Sequence, residues 1–137
     1  MAQKNEAEKS AAQKMQLKPG WKVRLVNAPE DAPSLLGELP EGAELIDGTT
    51  HPGAHAGADT FLIFANNRAD LQAALPGLSK QVPAGNSVWV AYHKGTSTVP
   101  TDIHRDSINE YAKTLGFVGN FMVSINNDWA ALRLKRV

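Results

Sequence analysis

The stretch DTFLIFANNRADLQAALPGLSKQVPAGNSVWVAYH, residues Asp59–His93, decides the fold. It begins and ends with near-continuous apolar runs, DTFLIFA and SVWVAYH, which are typical of strands covered by helices on both faces. Between the runs Asn67 is a plausible helix cap, and Pro76 is expected to close or kink the last helical turn. The apolar residues of this helix recur at helical spacing: Leu71, Leu75 and Leu78. Strand, helix and strand in this order predict a crossover connection between parallel strands.

The flanking sequence adds further elements. Two more strands are predicted at Trp21–Asn27 and Ala43–Asp47, with a short helix, Pro33–Leu39, between them. A second long helix is predicted at Asp102–Leu115. The chain then ends in two apolar runs around Asn126–Asp128, which predict an antiparallel hairpin.

These elements predict an α/β three-layer sandwich. The expected sheet is mostly parallel, with strand order 2-1-3-4-6-5, an antiparallel last strand and helices on both sides. We expect residues 17–137 to form a single domain. Residues 1–16 are polar, carry both signs of charge and contain few apolar side chains, so they are expected to form a flexible tail, either a frayed helix or a disordered segment.

Composition excludes several classes of function. The 137 residues contain fourteen Lys plus Arg, fourteen Asp plus Glu and no Cys. A balanced charge provides no long-range field to gather nucleic acid or an anionic membrane, so neither partner is expected. Without cysteine there is no disulfide, thiolate nucleophile or Cys-ligated metal. No apolar run has the length of a membrane span, and the cytoplasm is the expected location.

The loop after the fourth predicted strand is the candidate ligand site. Ligands of parallel sheets gather beyond the carboxyl ends of the strands, where Lys94, Gly95, Thr96 and Ser97 lie. The lysine provides positive charge, the hydroxyls provide donors, and the helix near Asp102 points its positive end toward the loop. The residues therefore suit a small anion. Alternatively, the hydroxyls satisfy the loop backbone, Asp102 caps the helix and Lys94 is solvated.

Two residues of the closing strand are further candidates. Trp129 and Arg133 alternate onto one face, where Arg133 would pair with a carboxylate such as Asp102 or stack on the indole. The alternative is purely structural, because large aromatic side chains mostly fill cores or cover sheet edges.

Two other groupings contain reactive residue types without supporting context. Ser97, His93 and Asp102 match a nucleophile, a base and an orienting acid, but no strained elbow with flanking glycines surrounds the serine. His51 and His55 are four residues apart in HPGAH, which is not a regular helix and has no acidic neighbour. We therefore expect neither hydrolase chemistry nor a metal site.

Several segments together resemble a bacterial family named DUF 3052: LKPGWKVRLVNAP, ELPEGAELID, ADTFLIFANNRADL, VWVAYHKGTS and NNDWAALRLKR. The similarity spans residues 17–137, and its most specific pieces are YHKGTS with Asp102 downstream and the terminal Trp129 with Ala131-Leu132-Arg133. Family members tend to have Pro-Lys after the strand. Lys94 therefore carries over, whereas His93 departs from the pattern.

The order of elements also resembles a shortened Rossmann-like methyltransferase. Such enzymes hold S-adenosylmethionine at a glycine-rich turn after the first strand, where backbone N–H groups are free. Here the corresponding turn is NAPEDAP, Asn27–Pro33. Its two prolines, Pro29 and Pro33, lack N–H donors, and Glu30 and Asp31 add negative charge. The resemblance therefore implies a scaffold with a degraded cofactor turn.

Asp47 is a further candidate contact for S-adenosylmethionine. It ends the second predicted strand about twenty residues after Asn27, where the resemblance places an acid that accepts from ribose hydroxyls. Asp47-Gly48 is also an ordinary turn pair. The favoured hypothesis is a non-catalytic binding or interaction module without a cofactor, which recognises an anionic metabolite, a nucleotide or a protein partner. The alternative is an S-adenosylmethionine-dependent methyltransferase that uses Asn27, Asp47 and the strand-four loop.

Overall fold

The computed structural model describes residues 10–47, 59–80, 82, 85–95, 101–126 and 128–137. These residues form four helices and six strands. In chain order they are α1 (Ala11–Lys14), β1 (Lys22–Val26), α2 (Ala32–Leu36), β2 (Glu44–Asp47), β3 (Thr60–Ala65), α3 (Arg68–Ser79), β4 (Ser87–His93), α4 (Arg105–Lys113), β5 (Phe117–Ser124) and β6 (Trp129–Arg136). No helix among them is both long and apolar enough to cross a membrane.

The six strands form one sheet in the order β2-β1-β3-β4-β6-β5. The first four of these strands are mutually parallel, whereas β6 runs antiparallel to β4 and β5 antiparallel to β6. This confirms the predicted order and the antiparallel last strand. The hairpin turn is held by Asn126, whose Oδ1 accepts from the backbone N–H groups of Asp128 and Trp129, each at 2.8 Å.

Each face of the sheet carries its own apolar core. On one face α3 and α4 cover the sheet through side chains such as Leu75 and Ile108. On the other face α1 and α2 pack through Met15 and Leu36. Every residue of β3 is buried, as its continuous apolar sequence predicted.

Helix α3 continues past its proline. Asn67 is the N-cap, and its side chain accepts from the Asp70 N–H at 2.9 Å, as expected. Pro76 lies inside the helix, which ends at Ser79. Leu78, in the last turn of the helix, is buried in the core. The free energy gained by this burial offsets the loss of the backbone hydrogen bond that Pro76 removes, so the helix continues past the proline.

Helix α1 lies within the predicted flexible tail. Ser10 caps it through a reciprocal pair of hydrogen bonds with Gln13, and Ala11, Ala12 and Met15 are buried in the core. The packed domain therefore begins before residue 17. The small side chains of α1 allow it to pack closely against the chain that follows α2. Its apolar surface is therefore buried although the segment is mostly polar.

Helix α4 begins three residues later than predicted. His104 is its N-cap, and the preceding residues 101–103 are not helical. Gly116 follows the helix with a φ of 87°, which is the left-handed stop that the sequence predicted. The later start moves Asp102 out of the capping position of α4.

Candidate functional site

The candidate site lies at the carboxyl edge of the sheet, where β1, β3 and β4 end side by side. Val26 pairs in register with Ile63, and Ala65 with Tyr92. The residues that follow these strand ends are polar. This edge is where ligands of parallel sheets collect.

A cavity of about 460 Å³ opens at this edge beside β4. Its lining comes from the end of β4, the amino end of α4 and the β5–β6 hairpin: Tyr92, Lys94, Gly95, His104, Arg105, Asp106, Met122, Val123, Ser124 and Ala130. We call it the carboxyl-edge cavity. Two of the predicted site residues, Lys94 and Gly95, therefore lie beside the amino end of α4, as expected.

The lysine of this cavity is held in place. Its backbone N–H donates to the Asp128 carbonyl at 2.7 Å, which fixes the start of the loop against β6. Its ammonium donates to Ser124 Oγ at 2.5 Å. A hydroxyl does not neutralise an ammonium, so Lys94 keeps its positive charge at the cavity wall.

The lining carries more positive than negative charge. Lys94 and Arg105 line the cavity together with one acid, Asp106, which contacts the Arg105 Nε at 3.5 Å. Both members of this pair are largely exposed, so the contact neutralises little of the field. The amino end of α4 adds a partial positive charge. The arrangement favours a small anion.

Tyr92 forms the apolar floor of the cavity. Its hydroxyl donates to Met122 Sδ at 3.0 Å. Burial raises the pKa of the Tyr92 phenol; the Arg105 charge opposes the shift and the Asp106 charge adds to it. Sequence analysis missed Tyr92 and Met122, because neither has a chemical signature distinct from core packing.

Asp102 is not among the described residues that line the carboxyl-edge cavity. Its Oδ1 accepts from the Arg68 backbone N–H at 2.6 Å, at the amino end of α3. The alternative that Asp102 caps α4 is wrong, since it instead stabilises the start of α3. Thr96 and Ser97 lie outside the described residues.

Trp129 and Arg133 do share one face of β6, but they lie at different ends of it. Trp129 pairs in register with His93, and the two rings stack with centroids 3.9 Å apart. Arg133 pairs with Trp89 and lies over that indole. The predicted pair between Arg133 and Asp102 is therefore not formed, because four strand residues separate Arg133 from the carboxyl edge.

His93 faces the opposite side of the sheet from Tyr92, because successive side chains of a strand alternate. Its Nε2 lies 2.8 Å from Asn66 Oδ1. Burial lowers the pKa of the His93 imidazole, and the Asp128 charge partly opposes this shift. Of the trio His93, Ser97 and Asp102, the structure describes two members: His93 contacts Asn66, and Asp102 accepts from the Arg68 backbone N–H.

The turn after β1 has no glycine, and its first residue is held by a side-chain hydrogen bond. Asn27 has a φ of 58°, and its side chain donates to the Phe64 carbonyl at 2.9 Å. Ala32 and Leu35 use their N–H groups within the turn and helix, bonding to the carbonyls of Pro29 and Asp31. These amides are thus satisfied internally, and Pro33 has none to donate.

The predicted contacts of Asp47, His51 and His55 are not tested by the described part of the structure. The backbone of Asp47 ends β2, as expected, while its predicted ribose contact involves a side chain that is not described. His51 and His55 lie outside the described residues. Within the described ranges, no group of three or more His, Cys, Asp or Glu residues is placed to hold a metal ion.

The fold is similar to those of solved structures with low sequence identity. TrmN from Thermus thermophilus has a TM-score of 0.55 at 12% identity, over 93% of this chain and 47% of that chain. A protein of the NADB-Rossmann superfamily from Streptococcus agalactiae has a TM-score of 0.54 at 12% identity, over 98% of this chain and 69% of that chain. Precorrin-6y C5,15-methyltransferase from Geobacter metallireducens has a TM-score of 0.51 at 8% identity, over 90% of this chain and 84% of that chain.

The similarity extends over most of this chain but over about half the length of TrmN. No protein-family model matches the chain and no curated protein does either, so the resemblance to DUF 3052 is not confirmed. At such low identity the solved structures show the fold alone. The fold is Rossmann-like and is shared with a solved methyltransferase.

Proposed function

We propose that this protein is a non-catalytic binding module that holds a small anionic metabolite or nucleotide in the carboxyl-edge cavity. The observation that carries the proposal is the position of Lys94, fixed by Ser124, opposite the amino end of α4. A preorganised cation binds an anion without first losing its own rotational freedom. A volume of about 460 Å³ is within the range of small-molecule pockets.

The ligand's charged group would lie between Lys94 and Arg105, with its less polar part against Tyr92 and Met122. Lysine acts here as a point charge, and the arginine offers a planar set of donors for a phosphate or carboxylate. Among the described residues, no atom lies within 4 Å of the position that a Cβ of Gly95 would take, so this glycine leaves space beside Lys94.

The second candidate is an S-adenosylmethionine-dependent methyltransferase with an atypical cofactor turn. The observation in its favour is the left-handed backbone of Asn27, which gives the turn after β1 a conformation that glycine usually supplies. The similarity to precorrin-6y C5,15-methyltransferase supports the scaffold. Because Ala32 bonds within the turn and Pro29 and Pro33 have no N–H, such an enzyme would depend on Asp47 and the strand-four loop to hold the cofactor.

Calorimetric titration of the full chain with inorganic phosphate and adenosine monophosphate tests the first candidate. We expect binding that Lys94→Ala weakens by about tenfold or more, the effect of losing a charge-assisted contact. Lys113→Ala removes the same charge from the far end of α4 and should leave the affinity unchanged. Absence of binding, or equal binding by the Lys94 variant, would contradict the proposal.

Thermal shift with S-adenosylmethionine and its demethylated product separates the two candidates. Stabilisation by the methyl donor that Asp47→Ala abolishes would support the methyltransferase. Stabilisation by phosphate compounds that Lys94→Ala abolishes would support the binding module.

A further inference from the structure

A second cavity, of about 560 Å³, lies at the opposite, amino edge of the sheet. The residues that line it come from α1 and the chain after it, the starts of β3 and β4, and β6: Met15, Gln16, Lys18, Trp21, Asp59, Thr60, Gly85, Asn86, Ser87, Trp89 and Arg133. We call it the amino-edge cavity. It shares none of the described lining residues of the carboxyl-edge cavity.

Arg133 places a fixed positive charge in this cavity. Its guanidinium carbon lies 5.8 Å from the ring centroid of Trp89 and 5.0 Å from that of Phe121. Its Nε donates to Asn120 Oδ1 at 3.0 Å, and one terminal nitrogen contacts Gln16 Oε1 at 3.5 Å. Aromatic faces and amide oxygens orient a guanidinium without neutralising it.

Among the residues that the structure describes, no carboxylate contacts this guanidinium. Arg133 is only partly exposed, so water does not fully replace a counter-ion. An arginine has five N–H groups, and the two contacts leave others available. The site is therefore electrostatically incomplete and favours an anion.

Gln16 lies at the end of α1, directly after the C-cap Met15. Its φ is 60°, in the left-handed region that non-glycine residues rarely adopt. This conformation ends α1, because the N–H groups of Gln16 and Leu17 donate to the carbonyls of Gln13 and Ala12, at 3.1 and 3.4 Å. The same residue places its side-chain oxygen 3.5 Å from the Arg133 guanidinium.

Lys18 adds a second positive charge to the same lining. Its ammonium lies 5.6 Å from the ring centroid of Trp21. The described lining contains one acid, Asp59, whose Oδ2 accepts from the Lys22 backbone N–H at 2.8 Å. That contact orients the carboxylate toward the start of β1. The charge balance of the lining is therefore positive.

We propose that the amino-edge cavity is a second ligand site, which binds a small organic anion through Arg133 and Lys18. The planar guanidinium fork matches a carboxylate or a phosphate group, and these two share the oxyanion chemistry that the site recognises. The volume exceeds that of an inorganic ion and is of the size of small-molecule pockets. The indole rings of Trp21 and Trp89 provide walls for a planar body.

Nitrogen-15 NMR of the full chain tests this site, since the three tryptophans report on different places. Trp21 and Trp89 line the amino-edge cavity, whereas Trp129 lies near the carboxyl edge. Benzoate and phenyl phosphate, which have the same ring but different oxyanions, are titrated to about 10 mM. We expect either probe to shift the indole N–H signals of Trp21 and Trp89 and to leave that of Trp129 in place.

Variants assign the binding to the proposed cations. Arg133→Gln should weaken it about tenfold, and the exposed Lys18→Gln, which does not threaten folding, about threefold. Lys135→Gln removes an exposed charge from the same strand and should have no effect, as should Lys94→Ala, so the result does not depend on the carboxyl-edge proposal. Absence of shifts with both probes, or unchanged affinity in both the Arg133 and Lys18 variants, would overturn the proposal.

Discussion

The imidazole of His93 lies with its Nε2 atom 2.8 Å from Oδ1 of Asn66. The Asn66 amide is oriented by Asp70, whose carboxylate accepts from both the Asn66 backbone N–H and its Nδ2, at 2.9 and 3.1 Å. Since a carboxylate only accepts, Asn66 presents its oxygen to the histidine, and the histidine must donate from Nε2. The neutral ring therefore carries its proton on Nε2.

This tautomer makes folding sensitive to acid. The Nδ1 atom is buried without a hydrogen-bond partner in the described structure, and burial lowers the pKa of His93. The unfolded chain has the ordinary histidine pKa of about 6.5, so it binds a proton where the folded chain does not. Above about pH 6.5 His93 should not reduce the free energy of unfolding. Below that pH the free energy of unfolding should decrease as the pH falls toward the folded-state pKa of His93.

Urea unfolding at several pH values between about 7.5 and 5.5 measures this dependence. His93→Gln keeps a donor for Asn66 but cannot titrate, so its stability should fall less with acid than that of the native chain. His104→Gln, at an exposed position, should retain the native dependence. Equal slopes for the native chain and the His93 variant would show that this histidine is not the cause.

Asp102 contacts the start of α3, so we expect it to stabilise that helix and not to contribute to ligand affinity. Because its carboxylate accepts from the Arg68 backbone N–H, Asp102→Ala should lower the free energy of unfolding by about 1 kcal/mol, as loss of a helix cap does. The affinity for phosphate should remain unchanged. Chemical denaturation and calorimetry of the same variant measure both quantities.

Asp106→Ala provides the matched comparison. Asp106 is an exposed acid in the carboxyl-edge cavity, so its removal should raise phosphate affinity by about threefold and change stability by less than about 0.5 kcal/mol. If Asp102→Ala instead weakened phosphate binding, the assignment of Asp102 to helix capping alone would be wrong.

Local sequence patterns were sufficient to predict the sheet. Two continuous apolar runs separated by a helix-period segment define β3, α3 and β4, and short connections leave few alternatives for strand order. The same reasoning allowed a frayed helix at α1 but missed its burial, because the buried residues of this helix are alanines in a polar segment. A pattern rule weights large apolar side chains, whereas packing depends on the fit of small ones as well.

The candidate site was only partly predictable, since its contacts join distant parts of the chain. Lys94 was identified from its place after a strand, but its partner Ser124 is thirty residues away. Arg133 contacts Gln16 across 117 positions. No local spacing encodes such pairs, so the sequence predicted the face of β6 that carries Arg133 but not the partners of its side chain.

The burial of α1 can be tested with two methionines. Met15 is 2% exposed and packs in the core, whereas Met122 is 42% exposed at the rim of the carboxyl-edge cavity. Met15→Ala should destabilise the protein by about 2–4 kcal/mol through lost burial and a residual cavity. Met122→Ala should cost less than about 1 kcal/mol. Similar losses of stability in the two variants would contradict the packing of α1.

Asn27 combines two effects that substitutions can separate. Its backbone is left-handed, and its side chain donates to the Phe64 carbonyl of β3. Asn27→Gly removes the hydrogen bond but tolerates the backbone, so it should cost about 1 kcal/mol. Asn27→Ala also places a Cβ in a disfavoured conformation, which should add about 1 kcal/mol.

The glycine variant also bears on the cofactor turn. If a missing glycine alone prevented binding, Asn27→Gly would create affinity for S-adenosylmethionine. We expect none, because the amides of Ala32 and Leu35 remain bonded within the turn and Pro33 has no N–H. Calorimetry of this variant with S-adenosylmethionine checks the expectation, with Asn27→Ala as the comparison. Binding gained by the glycine variant alone would show that one backbone position, and not the set of prolines and bonded amides, controls the turn.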